Sequence, residues 1–287
     1  MGLRRIVLVI TIGGHVANPG CRDARIAGGL RCTPDHFAVT ERDGQTALEF
    51  LPDVSFAEVR LFMRGRLLDA SGGRAGVIRE RLTPWLGEPL PLVAPHQVHG
   101  VSILDSVPEN VLPLTPKADG VLLTSPGLEA SLRFADCAPV VVMPSEEWAA
   151  AGTPWVLLMH SGYKGTVQNI VRSGLDEVAN RFGADAVRSA SAWVGPCIGG
   201  ANYPRTMEEW TARGLEVFRA ENVCEMEGHF YFDIAGELRL QLMESGMDQD
   251  RIFVSCLDTF KSRDICYSYR GGDREDRMFL HACLRAV

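Results

Sequence analysis

Residues 155–182 read WVLLMHSGYKGTVQNIVRSGLDEVANRF, and three elements follow one another in them. Trp155 to His160 is an apolar run of strand length, which reads as a buried strand. Ser161 to Gly165 reads as a tight loop. Thr166 to Phe182 predicts an amphipathic helix, because Val167, Ile170, Val171, Leu175 and Val178 share one face at i, i+3, i+4 spacing. His160 therefore stands where a strand ends and a loop leads to a helix N-terminus. In α/β proteins such positions commonly hold ligands and anions.

Two other segments carry the same kind of chemistry. Upstream, LEASLRF runs into Ala135-Asp136-Cys137, and APVVVM continues as another apolar strand before PSEEWAAAGTP, which reads as a surface loop. Further upstream lies His96-Gln97-Val98-His99-Gly100. His99, Cys137 and His160 together supply two imidazoles and a thiolate, a suitable set for zinc with an open fourth position. Such open sites are catalytic more often than structural. The three lie too far apart in the chain for a local zinc-finger signature. The same residues also fit a metal-free Cys–His hydrolase, with Cys137 as nucleophile and His99 or His160 as its base. Asp136 suits either a proton-transfer or ligand-orienting role or a cap on the turn. Tyr163 suits either stacking on a base or simple packing. Lys164 and Arg270 are candidate anion contacts. Gly195, Pro196 and Gly199 suit a tight turn near the site, with no P-loop pattern.

Outward from this centre, HFAVT, ALEFL and VRLFM, separated by turns such as Arg42-Asp43-Gly44, predict hairpins over residues 37–68. VIRERLTPWLG predicts a short helix interrupted near Pro84. VSILDS, DGVLLTS, SAWV and RIFVSCLDTF predict strands, and residues 206–220 and 234–245 predict helices. YSYRGGDREDRMFLHACL predicts a strand, a polar loop and a last strand or helix. No repeat or long linker interrupts residues 1–287, so one domain is expected. The start, MGLRR followed by IVLVITIGG, resembles a short signal peptide, but its apolar part is too short to span a bilayer and reads rather as a buried first strand or a non-native extension over residues 1–20.

The chain has 287 residues and a formal charge of −7, with no long basic run. Nucleic-acid grooves need clustered Lys and Arg, so neither a nucleic-acid nor a membrane partner is expected, and no protein partner is predicted. The eight cysteines form no CxxC pair and are irregularly spaced. Reduced thiols and a cytoplasmic location are the expectation.

Taken in order, QVHG, KADG, ADCAPVVV, HSGYKG, VGPCIG and the final SYR resemble the YfiH-like family. That family is known as peptidoglycan editing factor, as purine nucleoside phosphorylase, and earlier as multicopper polyphenol oxidoreductase ("laccase domain"). The resemblance covers about residues 93–283. It implies an α/β fold, a four-layer α/β/β/α sandwich with mixed sheets. It implies a zinc or copper ion on His99, Cys137 and His160. The implied activity is phosphorolysis of adenosine, inosine, guanosine and methylthioadenosine, with deamination of adenosine, so that nucleoside and phosphate are the partners. The alternatives are a Cys–His hydrolase acting on a cell-wall precursor and a copper-dependent polyphenol oxidoreductase. Seven histidines with no HxH pair are too few for a multicopper centre. Two departures stand out. HSGYKG replaces the family's HAGWRG, keeping an aromatic and a cation but losing the arginine fork. Asp276-Arg277 replaces its closing Gly-Arg.

Overall fold

The structure is a computed structural model and describes residues 4–6, 32–152 and 154–285. In chain order the strands are β1 (Arg4–Ile6), β2 (Phe37–Arg42), β3 (Gln45–Phe50), β4 (Ala57–Gly65), β5 (Leu92–Val93), β6 (Ile103–Asp105), β7 (Gly120–Leu123) and β8 (Glu129–Phe134). They continue with β9 (Ala138–Met143), β10 (Val156–Ser161), β11 (Ser191–Val194), β12 (Pro204–Arg205), β13 (Val223–Met226), β14 (His229–Phe232), β15 (Ile252–Val254) and β16 (Met278–Leu284). The helices are α1 (Ala75–Arg81), α2 (Thr83–Leu86), α3 (Glu146–Ala151), α4 (Tyr163–Val167), α5 (Ile170–Phe182), α6 (Ala184–Ser189), α7 (Glu209–Val217) and α8 (Ile234–Glu244).

Two mixed sheets carry the fold. One runs β1-β2-β3-β4-β16-β8-β5, the other β15-β11-β9-β10-β7-β6, and a small third sheet runs β12-β14-β13. Successive strand residues point to opposite faces, and the central strands of the six-stranded sheet divide themselves accordingly. Val121, Leu123, Val141, Met143, Val156 and Leu158 enter a core shared with Leu61, Leu132, Phe134 and Leu280 of the seven-stranded sheet. Their neighbours Leu122, Val140, Val142, Leu157 and Met159 enter a second core with Val171, Leu175 and Val178 of α5 and Leu238 and Leu242 of α8. Runs such as VVVM are apolar throughout because both faces are covered. With α1 packed on β8, the layers are helix, sheet, sheet, helix, the expected sandwich.

The Asp43-Gly44 turn joins β2 and β3 with φ of 52° and 72°, as a two-residue hairpin requires. Pro84 sits in the first turn of α2, just past the end of α1. Four local readings differ. The expected surface loop at 144–154 contains α3, whose Ser145 side chain accepts from Trp148 N, a cap worth about 1 kcal/mol. SGYKG is no loop, since Tyr163 opens α4, and the predicted helix over 166–182 is broken at Asn169, which takes φ 60° and caps α5 through Arg172 N. Residues 267 and 268 are irregular and 269 opens a turn, where a strand was expected. Of the proposed N-terminal strand, Arg4–Ile6 pairs with β2, and the remainder of residues 1–20 lies outside the described residues.

Cys32 and Cys256 form a disulfide across 224 residues of sequence, which corrects the expectation that the cysteines are unpaired. Spacing could not reveal it, because the partner is set by the fold. No helix among the described residues is long and apolar enough to cross a membrane.

The seven-stranded sheet holds a buried ion pair between Arg79 and Glu129, with Nη2 donating to Oε1 at 2.6 Å and Nε to the other oxygen. Burial alone would raise the Glu129 carboxyl. His281, 3.6 Å away, and the Arg79 fork outweigh it and hold the group at about 2. The His281 contact is too long for a hydrogen bond, so the fork dominates. A depressed carboxylate contributes stability that is full above its ordinary 4.5 and fades as pH falls toward 2, a contribution on the order of 3 kcal/mol. Glu129→Ala strands the Arg79 charge in the core and is expected to cost about 3–5 kcal/mol, read as a fall of roughly 10 °C in melting temperature. The wild-type midpoint should drop between pH 4.5 and 2 by more than the variant's.

Candidate metal centre

Strand register brings the candidate ligands together. In the β10–β7 pair Leu158 faces Val121 and Met159 faces Gly120, so His160 comes opposite Asp119, and His160 N donates to Asp119 O at 2.7 Å. In the β10–β9 pair His160 faces Pro139 and Ser161 faces Ala138, so Cys137 comes opposite Gly162. Cys137 itself lies in the turn where the chain leaves β8 of one sheet for β9 of the other. A Cβ on Gly162 would stand 2.6 Å from Cys137 Sγ and 3.1 Å from His99 Cδ2. Glycine is what leaves room there for three converging side chains.

His99 is placed by Asp119. The Asp119 carboxylate accepts from Val98 N at 3.1 Å, His99 N at 2.9 Å and Gly100 N at 2.7 Å, and its Oδ1 also meets His160 Nδ1 at 2.8 Å. One buried carboxylate therefore holds the His99 loop, with His99 at φ 61°, and fixes His160. With Nδ1–H donating to Asp119, His160 Nε2 keeps its lone pair for a ligand, a usual arrangement behind a metal-bound histidine. Burial by itself would raise Asp119; the bonds from His160, Gly100 and Val98 outweigh it and hold the carboxyl below its ordinary value. Burial likewise pushes the His160 imidazole down, against the raising effect of Asp119, which favours the neutral ligating form.

One ligand atom from each of His99, Cys137 and His160 lies within 4.8 Å of the others. Tetrahedral zinc with two nitrogens and a sulfur needs separations of about 3.3–3.7 Å, so shifts on the order of 1 Å close the set. The residues fit a metal of the zinc type. Burial pushes the Cys137 thiol up to about 12, with Asp136 and Asp119 adding to the effect. A raised thiol runs against the low-pKa thiolate of an activated Cys–His pair.

Asp136 sits at φ 81° beside Cys137. Its Oδ1 accepts from Thr259 Oγ1 at 2.8 Å and its Oδ2 from Arg270 N at 2.7 Å, while its carbonyl accepts from Ile198 N at 2.9 Å. The carboxylate holds two loops beside Cys137 and the carbonyl a third, in a strained turn.

The centre opens into a cleft of about 750 Å³, within the range of small-molecule sites. Tyr163, Lys164 and Arg270 all line it. Tyr163 offers no free face, however. It is 4 % exposed, Phe218 stacks on it at 5.7 Å, and the Arg205 guanidinium covers it at 4.0 Å. This corrects the base-stacking reading: the ring is packing, because α7 and the β12 arginine close over it. Tyr269, 47 % exposed on the cleft wall, is the more open aromatic, with the Arg274 guanidinium over its ring at 4.2 Å. Lys164 and Arg270 are exposed, and their charges rest on the Trp210 and Tyr203 rings at 4.8 and 4.7 Å.

Sequence reading missed Asp119, Arg133 and Arg205 as site residues, and met Arg277 only as part of the closing motif. Asp119 stands in KADG at the mouth of a strand, a position that could have flagged it. The arginines reach the cleft only through non-local pairing. Five cationic side chains, Arg133, Lys164, Arg205, Arg270 and Arg277, line a cleft with two carboxylates, Asp136 and Glu275. The chain as a whole carries −7, so this local excess is a focus for an anion. The departure at Asp276 also has a use, since its carboxylate accepts from Ala70 N and Gly72 N and ties the 70–73 loop to the cleft wall.

Comparison with known proteins matches the chain to a family described as "Multi-copper polyphenol oxidoreductase laccase" over residues 76–284. A purine nucleoside phosphorylase of Xylella fastidiosa (strain Temecula1) is 30% identical over 249 residues, covering 82% of this chain and 90% of that one. A purine nucleoside phosphorylase of Bacteroides thetaiotaomicron is 25% identical over 192 residues, covering 63% and 68%. Among solved structures, YlmD from Geobacillus stearothermophilus superposes with a TM-score of 0.73 at 23% identity, covering 86% and 98%. The Bacillus licheniformis hypothetical protein YfiH gives 0.69 at 22% identity, covering 80% and 93%. The two structures share the fold.

Proposed function

The chain belongs to the multi-copper polyphenol oxidoreductase laccase family, and from that premise we propose that it is a purine nucleoside phosphorylase using a zinc ion held by His99, Cys137 and His160. The observation that carries this reading is the meeting of those three donors with a cation-rich wall in one cleft. Relatives named purine nucleoside phosphorylase support it.

In phosphorolysis a phosphate oxygen forms a bond to the ribose C1′ while the C1′–N9 bond breaks, and the electron pair leaves with the purine, which takes up a proton. Lys164 and Arg270 are assigned to the phosphate, whose charge they offset and whose approach they orient. Tyr269 is assigned to the base, with one exposed aromatic face. Asp119 and Asp136 position the centre without touching substrate. A zinc ion at the three donors would supply Lewis acidity toward a substrate oxygen. Adenosine, inosine, guanosine and methylthioadenosine are the proposed substrates, and adenosine deamination the proposed second activity. The thiol hydrolase reading loses ground to the protonated setting of Cys137. Among the described residues the one cluster of three metal-binding side chains is this one, which falls short of a multicopper centre.

The test is incubation of purified, zinc-loaded protein with adenosine, with and without phosphate, followed by chromatography. Adenine should form only with phosphate, and inosine in either tube would report deamination. Zinc chelation should stop both and zinc should restore them. Adenosine unchanged in both tubes would overturn the reading.

A further inference from the structure

Arg133 has a geometry that its packing does not explain. It is the next-to-last residue of β8, and its main chain is clamped from both sides: Arg133 N donates to Gln97 Oε1 and Gln97 Nε2 donates to Arg133 O, each at 2.9 Å. Its Nη2 donates to the Pro95 carbonyl. Arg133 lines the cleft wall together with His99 and Val98. Nη1 is then left buried, with no hydrogen-bond partner.

A charged nitrogen withdrawn from water and left unpaired is costly, and an oxyanion would satisfy it. Asp119 is close enough to raise the Arg133 pKa, yet it makes no ion pair with Arg133, its oxygens being engaged by three backbone N–H groups and His160. Burial pushes the guanidinium down to about 10, which still leaves it cationic at neutral pH. Lys164 and Arg270 differ in kind: they are exposed and rest on aromatic rings. Arg133 Nη1 is already withdrawn from water, so an incoming anion gains its charge with little further loss of hydration, and the low local dielectric strengthens the contact.

We propose that Arg133 Nη1 is the anchor of an oxyanion subsite in the cleft and that the anion is a phosphate group. The identity of the anion rests on the phosphorolysis reading. The phosphate is either the free ion or the phosphoryl group of a nucleotide, and binding measurements separate the two. Equilibrium dialysis of the zinc-loaded protein with radiolabelled inorganic phosphate, and in parallel with adenosine 5′-monophosphate, needs no turnover. Arg133→Met and Arg133→Gln should weaken binding tenfold or more, as expected for loss of a hydrogen bond to a charged group, with zinc content unchanged. Arg133→Lys keeps the charge without Nη1 and should fall between; it also supplies the readout if the neutral variants do not fold. Loss confined to inorganic phosphate assigns the free ion, and loss confined to the nucleotide assigns its phosphoryl group. Wild-type affinity for both in every variant, or no binding of either by the wild-type protein, overturns the subsite. Binding that depends on Arg133 in a protein that forms no adenine would uphold the subsite and overturn the phosphorylase reading alone.

Discussion

Cys137→Ala is expected to remove metal binding and phosphorolysis together while the fold survives. Cys137 supplies the one anionic donor of the set; without it two imidazoles remain, one of them on the exposed His99. The loss in metal affinity should exceed the 10–100-fold typical of a residue that merely supports a ligand, which puts zinc below one equivalent after dialysis and turnover at background. The stability cost is small, because the side chain is half-buried and its deletion leaves little cavity. Elemental analysis, melting temperature of the metal-free protein and adenine release form the three readouts. A variant that keeps its zinc but loses turnover would transfer the chemistry to the thiol, and a variant that keeps turnover would end the metal reading.

Asp119→Ala is expected to strike metal affinity and stability at once. The carboxylate is fully buried and accepts from three backbone N–H groups as well as His160. Alanine leaves those donors unsatisfied and frees both histidine ligands: His160 loses the partner on Nδ1, and the loop carrying His99 loses its clamp. Zinc affinity should fall about 10–100-fold, and stability by about 3–5 kcal/mol, since each buried donor left unsatisfied costs about 1–3 kcal/mol. Asp119→Asn separates the roles. Its amide oxygen can still accept at one position, but its NH2 meets backbone donors at the other, so it should recover part of the stability and little of the affinity. Calorimetric zinc titration and urea unfolding of both variants test this, and unchanged zinc affinity in Asp119→Ala would refute the positioning role.

Local chemistry explains how much was readable in advance. The Asp43-Gly44 turn, the Pro84 interruption and the apolar strands around residues 120–160 declare themselves through residue types whose backbone preferences act over a few positions. The His99, Cys137 and His160 set was legible because each stands beside small or turn-forming residues. Where reading erred, a competing local signal had been overlooked: Ser145 caps a helix inside an apparent loop, and Asn169 adopts the left-handed conformation and breaks an apparently continuous helix. The Tyr163 reading failed for a different reason, since the rings and the guanidinium that cover it come from residues 205, 218 and 232.

Side-chain alternation in these strands is a property of the chain itself, and it settles which residues turn inward and that His160 ends a buried strand. It carries no information about which strand lies alongside. Pairing β10 with β7 in one register brings Asp119 to His160, and pairing it with β9 brings Cys137 to Gly162. Insertion of the C-terminal β16 between β4 and β8 carries the preceding loop, with Arg270 and Arg277, back to the cleft. The Cys32–Cys256 link joins residues 224 positions apart. A period of two constrains a strand relative to its own axis, whereas a neighbour is chosen by the packing of both sheets at once, and that choice exists only when the whole chain has folded.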